Sequence, residues 1–341
     1  MDPIGNLARK LGWLFIIFFG LVLTLFFGLV NYMPSSDFSV VKPALISPEP
    51  WRPKDILLVW EATDPMVKRG YEILSQSSAI IGPNAINPED RFAGNNLSCT
   101  NCHLKGGTQA GSGSWVGVAS RFPQFGGRSN KIGTLEDRIN GCMERSMNGR
   151  KIPIASEKMK AMVAYMQWLG EDLPTEKEKY YKGYAPIRLP ERAVDLEAGK
   201  VVYNKECALC HGKDGMGMTG SENGYLYPPL WGPDSFNDGA GMHRVITAAE
   251  FIRGNMPFGM ATRDAPKLTD EEAFDVAGYI NSFDRPHKIG TEKDYPDLTL
   301  KPVSTSYGPW VDDFSASEHK FGPFQPIMAF YKANYNLNKT K

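Results

Sequence analysis

Two short stretches decide how this chain folds: "SCTNCH" at 98–103 and "ECALCH" at 206–211. Each contains the pattern C-x-x-C-H, formed by Cys99, Cys102 and His103 and again by Cys207, Cys210 and His211. In this pattern the two thiols bond the vinyl groups of a haem and the adjoining imidazole is the proximal iron ligand. A redox dithiol or half a zinc site accounts for a CxxC pair. Neither accounts for a histidine directly after it, twice, in a chain with only five histidines. The motifs predict two covalently bound haem c groups.

Working outward, the surroundings of the motifs repeat. "DPMVKRGYEILSQ" precedes the first and reads as a helix with Met66, Tyr71 and Leu74 inward. "LEAGKVVYNKE" precedes the second, with Ala198, Val201 and Val202 on one face. Glycine-rich loops follow each motif, and then a closing helix. In "SEKMKAMVAYMQWLG" Met159, Met162, Val163, Met166 and Leu169 recur at helical spacing, so these methionines read as core. In "TDEEAFDVAGYINSF" Thr269 and Glu272 form a capping box, and Ala273, Val276 and Ile280 face inward. The fold expected is mostly α: two tandem cytochrome c-like haem domains after an N-terminal transmembrane helix. Its parts are an N-terminus and anchor at 1–35, a first domain at 36–175 and a second at 176–287. Residues 288–341, with "YGPWVDDF" and "KFGPFQPIMAFY", show no period and read as an irregular extension packed on the domains. The charged, proline-bearing 171–194 reads as a linker.

The stretch 13–30, "WLFIIFFGLVLTLFFGLV", carries no charge and approaches the ~20 apolar residues that a spanning helix needs. Arg9 and Lys10 precede it, and the next basic residue is Lys42, so the N-terminus is expected to stay in the cytoplasm. The haem domains would then lie in the periplasm or outside the cell, tethered to the cytoplasmic (inner) membrane. A cleaved signal peptide is the alternative, but "NYMPSS" is a poor cleavage site. With 38 basic and 38 acidic residues there is no cationic excess to meet phosphates, which argues against a nucleic-acid partner.

An electron-transfer haem needs a second axial ligand. In "FIRGNMPFGMATRD" Met256 is the best candidate, because Pro257 restricts the backbone that presents it; Met260 and Met242 are the alternatives. The first domain has no such loop, and Cys142 stands at the matching place. "GTLEDRINGCMERSMNG" reads as a helix capped by Thr134 and ended by Gly149. On it Arg138, Cys142 and Ser146 form one stripe, which Arg150 continues; Met143 and Met147 are the rival ligands. A free cysteine is commonly a small buried hydrophobe. Arginines one turn away in both directions suit a thiolate better, and a thiolate is both a nucleophile and an iron ligand.

On these residues the chain resembles the dihaem thiosulfate dehydrogenases, which join two thiosulfates into tetrathionate. The likeness covers about 64–285. It rests on "GNNLSCTNCHLKGGT", on "RFPQFGGRSNKIGTLEDRINGCMERSMNG", and on "CALCHGKDGMG" with "FIRGNMPFGMA". The resemblance implies His103 and Cys142 as ligands of the active-site haem, and Arg128, Arg138 and Ser146 as substrate-binding residues. Some members have glutamine at the place of Arg150, and some have lysine at the place of Asn255. Thiosulfate and tetrathionate are the implied substrates, with a periplasmic cytochrome c or a membrane oxidase as electron partner. Two other readings stay open: a non-catalytic membrane-anchored dihaem electron carrier, and the haem subunit of a sulfur-oxidising carrier system.

Overall fold

The computed structural model describes residues 2–32, 51–220 and 224–341. It divides into two units, 1–50 and 51–341. The expected boundary at 35/36, Lys42 and most of "NYMPSS" lie outside the described residues. In the first unit a single helix, α1 (Pro3–Tyr32), is long and apolar enough to cross a membrane.

The second unit is mostly helical and holds two apolar cores. In the first, α2 (Pro65–Ser75) crosses α4 (Glu157–Gly170), with the short α3 (Leu135–Met143) between them in sequence. In the second, α6 (Leu196–Glu206) crosses α8 (Asp270–Ser282), after α5 (Thr175–Tyr181) and with α7 (Val245–Asn255) alongside. Both crossings use the same device. A Cβ on Gly70 would lie 2.0 Å from the Ala161 carbonyl oxygen, and one on Gly199 would lie 2.2 Å from that of Asp275. Only glycine lets the two backbones approach so closely. A tyrosine four residues after each carbonyl, Tyr165 or Tyr279, flanks the contact. The repeat read from sequence is therefore a repeat in three dimensions.

The closing helices match expectation. Met159, Met162, Met166 and Leu169 are buried in the first core, and Ala273, Val276 and Ile280 in the second. Thr269 and Glu272 form the capping box. The expected inward face of α6 needs correction: Val201 is 66% exposed, and the buried positions are Gly199 and Tyr203. The close crossing at Gly199 sets which side of α6 faces α8. Two antiparallel hairpins complete the unit, β1 (Gln124–Gly126) with β2 (Lys131–Gly133) and β3 (Met218–Thr219) with β4 (Tyr225–Tyr227).

The tail is not irregular throughout. It forms α9 (Ala316–Phe321) and α10 (Phe324–Tyr335), and Phe324, Ile327 and Tyr331 of α10 are buried in the second core. The spacing of those three residues is helical, but the prolines and aromatics around them mask it. The two haem domains also interlock: Leu104, next to His103, belongs to the second core, and Tyr225 packs on the first.

Candidate functional site

Each CxxCH histidine is held in one orientation. His103 Nδ1 lies 2.7 Å from the Gly113 carbonyl, and His211 Nδ1 lies 2.8 Å from that of Pro228. A carbonyl only accepts, so Nδ1 carries the proton in both rings and Nε2 keeps its lone pair for a metal. Burial pushes the His103 imidazole down to about 4 and lowers that of His211, which keeps both neutral. The His103 ring also lies against Trp115, with centroids 4.8 Å apart.

The thiols fit haem attachment better than a metal cluster. No group of three or more His, Cys, Asp or Glu side chains that could hold a metal ion occurs among the described residues. Burial raises Cys99 to about 11, Cys102 to about 12 and Cys207 to about 12, which disfavours the thiolates that a metal cluster would need. The donor set therefore fits two c-type haems: two thiols and one oriented, neutral imidazole at each motif.

The structure brings Cys142 to the first motif. Its side chain lies close enough to Cys99 and Cys102 to interact electrostatically with both. It sits on α3, which starts where Thr134 and Asp137 form a capping box. One turn earlier, Arg138 Nη1 lies 3.2 Å from the Cys142 sulfur. The electrostatic interaction with Cys142 raises Arg138 above its ordinary value, more than burial lowers it.

The helix does not run on to Gly149. It ends at Met143, where the chain turns through Asn148 at φ 45° and Gly149 N–H donates back to the Met143 carbonyl; Asn237 Nδ2 bonds the Glu144 carbonyl at 3.0 Å, and Asn95 Nδ2 that of Ser146 at 3.0 Å. Ser146 is thus half-buried in a turn beyond the helix. The rival ligands Met143 and Met147 are buried in the first core.

The arginines divide. Arg128 donates to Asp294 at 3.0 Å and to the Gly239 carbonyl at 2.8 Å. Burial lowers it, but Tyr295, Tyr307 and Asp294 together hold it above its ordinary value. Arg145 takes the other oxygen of Asp294 at 2.7 Å. Arg150 instead bonds the Glu89 carbonyl at 2.9 Å, with its guanidinium 4.4 Å from the Phe92 ring centroid. Arg150 lies beyond the end of α3, and these partners hold it against the segment before the first CxxCH motif.

Sequence reasoning missed three groups. Tyr184, in the supposed linker, is pushed up to about 12 by burial and interacts electrostatically with Arg138, Cys142 and Arg244. Arg244, the N-cap residue of α7, is lowered by burial and lies near Tyr184, Tyr295 and Arg128. Asp294 in the tail joins Arg128 and Arg145. No local pattern marks any of them. Asp294 pairs with two arginines, and Arg138 and Arg244 each interact electrostatically with Arg128, so cationic groups gather on this side of Cys142.

Of the candidate ligands for the second haem, Met256 and Met242 are half-buried against the second core, whereas Met260 is 63% exposed.

Residues 90–175 match the family described as SoxA/TsdA, cytochrome c domain, and residues 196–284 match cytochrome c. A thiosulfate dehydrogenase of Allochromatium vinosum is 40% identical over 238 residues, covering 69% of this chain and 83% of that protein. One of Psychrobacter arcticus is 38% identical, covering 68% and 67%. Among solved structures, thiosulfate dehydrogenase (TsdBA) from Marichromatium purpuratum aligns with a TM-score of 0.62 at 31% identity. That alignment covers 72% of this chain and 52% of the solved one.

Proposed function

The chain belongs to the thiosulfate dehydrogenase family, and from that premise we propose that it oxidises two thiosulfates to tetrathionate, a reaction the same groups can run in reverse. The observation that carries the reading is Arg138 at 3.2 Å from the sulfur of Cys142, which interacts electrostatically with the first CxxCH motif. The first haem is assigned His103 and Cys142, and the second His211 and Met256, whose thioether favours the ferrous state and suits an electron exit. Held by these residues, the haems would supply the oxidant for the two electrons that the reaction releases.

The residues account for the rest. Two thiosulfate dianions ~5 Å apart repel by about 13 kcal/mol at an effective dielectric of ~20. Arg138 and Arg128 offset this with guanidinium forks that match sulfonate oxygens, and Ser146 offers a hydroxyl. The Cys142 thiolate forms an S–S bond to the outer sulfur of one thiosulfate with loss of two electrons. The outer sulfur of the second thiosulfate then attacks the outer sulfur of the adduct. This forms the central bond of tetrathionate and returns the electron pair of the broken bond to Cys142 as thiolate, by ordinary thiol–disulfide exchange. No proton need move.

We place α1 in the cytoplasmic membrane with the haem domains outside, where a periplasmic cytochrome c or membrane oxidase accepts the electrons. The test is an assay of the purified holoprotein with thiosulfate and ferricyanide, followed by reduced dye and tetrathionate. Two ferricyanides consumed per tetrathionate formed is the expected result. Haems that exchange electrons without turning over either sulfur compound would make the chain an electron carrier.

A further inference from the structure

Asn255 is the last residue of α7, immediately before Met256, and its side chain is 0% exposed. Its carboxamide makes three hydrogen bonds. Nδ2 donates to the Phe251 carbonyl at 2.8 Å, within its own helix, and to the Gly111 carbonyl at 2.8 Å. Oδ1 accepts from Gln109 Nε2 at 2.7 Å. Gly111 and Gln109 belong to the other haem domain, in the loop that follows the first CxxCH motif. Two residues beyond Gly111, in the same loop, the Gly113 carbonyl fixes the His103 ring. Leu104 ties the start of that loop into the second core.

We propose that Asn255 is a positioning residue shared by the two haem pockets, fixing where Met256 is presented by reference to the loop that orients His103. The proposal rests on Met256 as the ligand of the second haem. A methionine side chain has three rotatable bonds, so the firmness of its ligation depends on how its backbone is held. Here the backbone N–H of Met256 bonds the Ile252 carbonyl at 2.8 Å, while the adjoining carboxamide clamps the helix end to the first domain. Removing one partner leaves a buried polar group unpaired, which loosens the clamp in a way no local repacking repairs. Residues that orient a ligand in this way tune metal sites without touching the metal.

Imidazole, titrated into the oxidised holoprotein, displaces a weakly held thioether from iron, and the methionine–iron charge-transfer band reports the exchange. Gln109→Leu alters only the first domain, 146 residues away in sequence, yet it should raise imidazole affinity at the second haem about tenfold. Asn255→Leu should raise it further. Thermal midpoints measured alongside register any general loss of stability. Imidazole affinity unchanged in both variants, even with lowered thermal midpoints, would reduce Asn255 to a packing amide and overturn the proposal. Should Asn255→Leu fail to fold, Gln109→Leu decides alone. Met256→Ala is the separate control: a band that survives in it refutes the ligand assignment itself, whatever the other two variants show.

Discussion

Arg138 and Cys142 are four residues apart on one short helix, and the guanidinium donates to the sulfur at 3.2 Å. In the proposed reaction this pair would combine a nucleophile with the charge that holds an anion beside it.

Cys142→Ser should abolish turnover in both directions, because serine is a poor iron ligand and cannot form the S–S adduct. Both haems should stay attached, since Cys99, Cys102, Cys207 and Cys210 are untouched. Quantitative haemochrome spectra and EPR check this: two haems per chain, with the thiolate-ligated low-spin ferric signal lost. Tetrathionate formation near the wild-type rate would make Cys142 a bystander.

Arg138→Ala should retain that EPR signal but bind thiosulfate poorly. Loss of a charge-assisted hydrogen bond, worth ~1.5–3 kcal/mol, corresponds to a roughly 10- to 100-fold fall in kcat/KM. Arg150→Ala should change kcat/KM little, because Arg150 is engaged with Glu89 and Phe92. Steady-state kinetics that rank the two variants in the opposite order would move the anion site.

Met256→Ala should lose the methionine–iron charge-transfer band, whereas Met260→Ala should keep it, since Met260 is 63% exposed. The midpoint potential of the second haem should fall in the first variant only. Turnover should drop with it while thiosulfate still binds. Spectra and potentiometric titration of both variants settle the ligand.

Gly199→Val should be among the most damaging substitutions outside the haem pockets. Its Cβ would sit 2.2 Å from the Asp275 carbonyl oxygen, so α6 and α8 must separate. A loss of about 3 kcal/mol is expected, toward the upper end for overpacking. Gly70→Val should behave alike in the first domain. Thermal unfolding and the yield of haem-stained protein measure both.

Removing residues 1–35 should release a soluble, active dihaem protein, since α1 is the segment apolar enough to span a bilayer. Membrane fractionation of the truncated chain checks it. Retention with the membranes would locate a further attachment in the haem domains.

The sequence by itself determined what is written in short-range pattern. The CxxCH motifs specify two haem attachments because the thiols and imidazole must be neighbours in the chain. The buried faces of α4 and α8 and the caps at Thr134 and Thr269 follow from helical period and from donors that a nearby side chain satisfies. Cys142 stood out because Arg138 lies one turn before it on the same helix. Only the tertiary structure decided the rest. Asp294 meets Arg128 across 166 residues, Tyr184 approaches Arg138 and Cys142 from a segment that reads as linker, and Asn95 and Asn237 bond the Ser146 and Glu144 carbonyls of the turn after α3. Such partners are chosen by which surfaces pack together, and packing brings distant segments into register without leaving a trace in local spacing.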